Sequence, residues 1–174
     1  MGKALGSWSG MRKYLEQEML ADDLRGKVRY NCTSYVGMDG CRIFELYLDG
    51  KLFKQFSWET QNSYFLQEDG EKKPRPMRIA EYWDGFWAKR EKRPLTSVTE
   101  YTDGDFCDAL ATYRNQNIRR SIASDNPIVR MFALFDRRVG KRTLEKLSEE
   151  MQTQPEWLRQ VYEFRCRSEK ETTA

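Results

Sequence analysis

The chain has 174 residues, enough for one sizeable core, and its nine Phe, nine Tyr and five Trp place it with folded rather than disordered sequences. Its 30 basic and 27 acidic residues leave a net charge of +3, so charge as a whole demands no anionic partner. It contains no histidine, which excludes Ser-His-Asp and Cys-His catalysis and His-ligated metal centres, and weighs against an enzyme.

No stretch reaches the roughly 18 consecutive apolar residues of a membrane helix, and MGKALGSWSG lacks the apolar run of a secretory signal. The expectation is a cytoplasmic protein with no membrane partner. Cys32, Cys41, Cys107 and Cys166 are widely spaced, with no CxxC pair, so free thiols and no cofactor are expected.

In chain order, Met11, Leu15, Met19 and Leu20 fall at helical spacing and predict an amphipathic helix over 9–24, with Ser9 as N-cap and Gly26 as stop. Residues 28–35, 41–48 and 51–58 are rich in β-branched and aromatic side chains and predict an antiparallel meander. Asp49-Gly50 is a type I′ hairpin signal, because that turn needs positive φ at both central positions. An unbroken register from this turn sets Leu46 against Phe53, Phe44 against Gln55 and Glu45 against Lys54. Both faces of such a sheet carry apolar residues, so the second face is a candidate interface.

Residues 67–76, QEDGEKKPRP, read as an exposed loop or linker between a helix-plus-sheet unit at 1–66 and a helical region at 77–174, which can pack on the sheet as one unit. Tyr82, Trp83, Phe86 and Trp87 form a helical aromatic stripe within 77–93. Asp103 or Asp105 is expected to cap a helix to Tyr113, and Asn117 to open a short one. Asn126-Pro127 opens a helix whose stripe Ile128, Met131, Phe132, Phe135 and Val139 runs to Gly140. A helix over 141–151 follows, then one opened by a Thr153–Glu156 capping box, with fraying beyond Arg167. The fold class is α+β: an N-terminal helix on an antiparallel β-meander of about three strands, then a mostly helical C-terminal half.

Two basic stretches carry the chemistry. Residues 114–142 hold eight basic and two acidic residues, including Arg119, Arg120, Arg137, Arg138, Lys141 and Arg142. Such a surplus suits an acidic protein surface or phosphates, and equally suits solvated helix ends with Asp136 pairing one arginine. Residues 72–93 hold eight basic and three acidic residues interleaved with Trp83 and Trp87, a pattern that suits base stacking and also core packing. Asp103, Asp105 and Asp108 cluster at one helix start, where capping competes with a magnesium site.

At GSWSGMRKYLE, YVGMDGCRIFELYLDGK, FSWET and SDNPIVRMFALFDRRVGKRTL the chain resembles a small bacterial family without an assigned activity. DRRVGKRTL is the most specific string, and the lysine-rich centre and the tail are unmatched. The resemblance implies a bacterial or mobile-element cytosolic origin and supplies no catalytic residue. The functional expectation is a non-enzymatic interaction protein, of the immunity or anti-defence inhibitor kind, that binds an acidic protein surface. Nucleic-acid binding through the cluster at 137–142 is the alternative, and a metal-dependent hydrolase using Asp103, Asp105 and Asp108 is a third reading.

Overall fold

The computed structural model of the chain describes residues 6–34, 42–58, 60, 88 and 94–173. Helix α1 (Trp8–Lys13) passes into a π-helical turn at Tyr14–Glu18, in which Met19 N–H donates to Tyr14 O at 3.0 Å. The N-cap is Ser7 rather than Ser9: its hydroxyl accepts from Gly10 N–H at 3.3 Å. A 3₁₀ turn at Asp22–Leu24 and Gly26, at φ 78°, lead into the sheet. Met11, Leu15, Met19 and Leu20 are all buried, as their spacing implies.

Strands β1 (Val28–Ser34), β2 (Arg42–Leu48) and β3 (Lys51–Phe56) form an antiparallel sheet in the order β1-β2-β3. The hairpin turn has Asp49 at φ 48° and Gly50 at φ 76°, as the dipeptide demands. The unbroken register does not hold. Leu48 faces Lys51 and Tyr47 faces Leu52, but a bulge then leaves Phe53 unpaired, so Leu46 meets Lys54, Glu45 meets Gln55 and Phe44 meets Phe56. The extra residue turns Phe56 instead of Gln55 towards the core beside Phe44, and carries Lys54 inward with it.

Lys54 is housed accordingly. Its side chain is 6% exposed, its Nζ donates to Thr99 O at 2.5 Å and lies 3.6 Å from Glu100 Oε2, and the Tyr101 and Trp157 rings stand 5.2 and 5.0 Å away. Burial lowers its pKa, and burial also raises that of Glu100, so desolvation outweighs their mutual attraction in both partners. Glu45, expected to pair with Lys54, instead accepts from Asn31, Tyr47 and Gln55 on the opposite face, which holds its carboxyl below the usual range.

After a 3₁₀ turn at Leu95–Ser97, five helices follow: α2 (Asp103–Asn115), α3 (Ile118–Ile122), α4 (Pro127–Phe135), α5 (Lys141–Met151) and α6 (Glu156–Thr173). Thr102, rather than Asp103 or Asp105, caps α2, in a reciprocal capping box with Asp105. Asn117 and Asn126 cap α3 and α4 as their sequences imply. Helix α4 stops at Phe135, four residues short of the predicted end, because Asp136 turns extended at ψ 135° and pairs with Leu20.

No Thr153 cap forms at α6. The Thr153 hydroxyl donates back to Glu150 O, and Pro155 O accepts the first helical N–H groups. Nor does the chain fray beyond Arg167: α6 continues to Thr173, with Ser168 buried and Lys27 paired to Glu171 at 2.7 Å.

One core joins these parts. Phe106 of α2 stacks on Phe44 at 4.5 Å, meets Phe56 at 5.0 Å and Tyr30 at 6.1 Å, and touches Phe132 of α4 edge-on at 5.4 Å. Every residue of α4 is buried, which its apolar sequence requires. The segments 67–76 and 77–87 and the Trp83–Trp87 stripe lie outside the described residues.

Candidate functional site

The early end of α4 creates the site. Asp136 closes that helix, and the five-residue turn from it to Gly140 carries Arg137 and Arg138 into α5, which begins at Lys141. The turn is held on both sides: Arg137 N–H donates to Met19 O at 2.8 Å, Ala21 N–H donates to Phe135 O at 2.9 Å, and Val139 N–H donates to Asp136 O at 3.0 Å. Val139 is buried, and its carbonyl accepts from Arg165 Nη2 at 3.1 Å, while Arg165 also pairs with Asp23.

Asp136 is 1% exposed and fully engaged. Its Oδ1 accepts from Arg138 N–H at 2.7 Å and Arg138 Nε at 3.0 Å, and its Oδ2 accepts from Arg138 Nη2 at 2.6 Å and from the Tyr113 hydroxyl. This bidentate pair holds the Arg138 guanidinium above its usual pKa range. Burial, and next the bond to Asp136, push the Tyr113 hydroxyl far up. Tyr14, the first residue of the π turn, lies close to Tyr113, and burial and then Asp136 raise its hydroxyl. Arg114 lies over the Tyr14 ring at 4.9 Å. The sequence does not single out Tyr14 or Tyr113, and shows Arg114 only as the first basic residue of 114–142, since nothing local brings these three together.

The remaining cations divide. Arg130 is buried and pairs with Glu150. Arg119, Arg120, Arg137, Lys141 and Arg142 are exposed and make no ion pair among the described residues. Arg119 and Arg120 sit on α3, Arg137 on the turn, and Lys141 and Arg142 in the first turn of α5, where their charge opposes the helix dipole and Gly140 offers no capping side chain. Trp83 and Trp87 lie outside the described residues.

The three aspartates of α2 go separate ways. Asp105 is buried in the capping box, Asp103 Oδ2 accepts from Arg42 N–H at 3.2 Å, and Asp108 is exposed. Among the described residues no group of His, Cys, Asp or Glu is arranged to hold a metal ion. A groove of about 730 Å³ between α5 and α6, with Leu144, Tyr162 and Cys166 on its floor, is rimmed by charges of both signs.

A family model matches residues 7–166. The chain belongs to the SF0329 protein family. The match takes in α1, the sheet and the turn at Asp136 together, so the site lies wholly within the family's shared region. No curated protein and no solved structure matches the chain. No described helix is long and apolar enough to cross a membrane.

Proposed function

We propose that this protein is a non-enzymatic interaction protein whose cationic face, on α3, the 136–140 turn and the start of α5, binds an acidic protein surface. The observation that carries the reading is the set of exposed cations that make no ion pair among the described residues: Arg119, Arg120, Arg137, Lys141 and Arg142. The one buried acid of this segment, Asp136, is engaged by Arg138 and Tyr113, and the other acid, Asp125, is exposed and joins no ion pair among the described residues. Exposed cations of one sign repel one another weakly, and an acidic partner converts that repulsion into attraction. An inhibitor of the immunity or anti-defence kind fits this description, since such proteins act by occupying a surface rather than by chemistry.

The test is affinity capture from an extract of the native cells, with the wild type and with a variant carrying Gln at all five positions. The expected result is a stoichiometric protein partner retained by the wild type, lost from the variant and released by salt. Capture of the same partner by both proteins overturns the reading. A gel-shift series at two salt levels separates the nucleic-acid alternative, which requires retardation of DNA or RNA that the variant abolishes.

A further inference from the structure

The proposed surface has a fixed point. Arg119, Arg120, Arg137, Lys141 and Arg142 make no ion pair among the described residues, whereas Arg138 is locked through Nε and Nη2 onto a carboxylate that is itself 1% exposed. A guanidinium has five N–H groups, and the Asp136 pairing uses one on Nε and one on Nη2. Among the described residues Nη1 has no partner, and Nη2 makes one further, long bond, to Tyr113 Oη at 3.5 Å on the Asp136 side, which leaves the end-on edge across Nη1 and Nη2 to an incoming group. The side chain is 51% exposed, so this end-on edge reaches solvent.

Tyr113 gives its proton to Asp136 and so has none to offer an incoming anion. Arg137, Arg138 and Asp136 together carry one net positive charge, which matches a single carboxylate. A planar carboxylate also takes two parallel N–H groups, the pattern that a guanidinium edge offers. The turn is held by Met19, Arg165 and its own Asp136–Val139 bond, so little rotational freedom is left to lose on binding.

We infer that Arg138, oriented by Asp136, is the anchor of this surface and receives a partner carboxylate end-on across Nη1 and Nη2, with Arg137 adding charge beside it. This rests on the reading of the cationic face as a docking surface for an acidic protein. Asp136 is the positioning residue, and Arg138 makes the contact.

The experiment uses a hexa-aspartate peptide as probe and follows the arginine Nε–H signals by ¹⁵N NMR, alongside the affinity of wild type and Arg138→Lys. Lysine keeps the charge and a pair with Asp136 but lacks the fork, and a melting curve checks that the variant folds. The expected result is a saturable shift of the Arg138 Nε–H signal, absent in chloride at equal ionic strength, and a loss of about tenfold in affinity in Arg138→Lys. Equal affinity in Arg138→Lys, or an unmoved Arg138 signal, overturns this inference and leaves the cationic face standing. No peptide binding by the wild type at low salt removes the wider reading as well. Inorganic phosphate that shifts the Arg138 signal at lower concentration than the peptide's aspartates do overturns the assignment to carboxylate.

Discussion

Asp136 illustrates how a single carboxylate can decide a local structure. Removing it leaves the Tyr113 hydroxyl without its acceptor and frees Arg138 to swing into water. Asp136→Ala is therefore expected to cost about 2–4 kcal/mol in urea unfolding, more than Tyr113→Phe, which deletes only one donor. Equal losses from the two variants contradict this account. Lys54 gives a pH signature instead. Its folded-state pKa lies below the unfolded value near 10.4, so the folded protein holds that proton less tightly. Stability then rises with pH between the lowered value and about 10.4, and the cost of burying the charge is fully present below both. Glu100, raised by burial, acts in the opposite direction at the acid end, where stability falls as pH climbs through its window. Lys54→Met is expected to flatten the alkaline rise and to cost about 1–3 kcal/mol at neutral pH by taking the Lys54 charge from Glu100 and the donor from Thr99 O, and the added Glu100→Gln to recover part of that. Melting curves across pH for the single and double variants check both.

At the scale of elements, the Asn117 and Asn126 caps and the Asp49-Gly50 turn were legible in the sequence because each is set by chemistry within a few residues. Asn126 before Pro127 opens α4 and accepts from Ile128 N–H at 2.9 Å, and Asn126→Ala is expected to lower stability by about 1 kcal/mol in chemical denaturation. Gly50→Ala, at φ 76°, is expected to cost a similar ~1–2 kcal/mol with no loss of contacts, since the open space around it leaves only backbone strain. What the sequence hid were features with distant causes. The bulge at Phe53 depends on Phe44 selecting Phe56 over Gln55, and the apparent Glu45–Lys54 charge match pointed to the wrong register. The end of α4 was misplaced because Val139 continues the apolar period of the helix, yet it is buried from a turn that Met19 and Arg165 hold. Of the candidate site, the basic residues, Arg114 among them, were visible as composition, while the meeting of Tyr14 and Tyr113 near Asp136 was not, since two elements distant in sequence bring them there.

Across the whole molecule, electrostatics divides into satisfied and unsatisfied parts. The buried arginines Arg130 and Arg165 have acidic partners in Glu150 and Asp23, as Arg138 has in Asp136, whereas the exposed Arg119, Arg120, Arg137, Lys141 and Arg142 make no ion pair among the described residues. Added salt is accordingly expected to change partner affinity far more than melting temperature, and a titration of both against ionic strength tests the division. Millimolar magnesium is expected to leave the melting temperature unmoved, because Asp103, Asp105 and Asp108 are directed to separate roles; a rise of several degrees points back to a metal site.

Helix α6 adds a constraint that belongs to synthesis rather than to the finished fold. Its Trp157, Leu158, Val161 and Phe164 complete a core begun by Met11 and Leu15, and its Arg165 and Glu171 close onto Asp23 and Lys27. Those partners are the first and last described parts of the chain to leave the ribosome. A nascent chain halted before residue 157 exposes the apolar floor that α6 covers, so this domain reaches its native state after translation of that helix rather than during it.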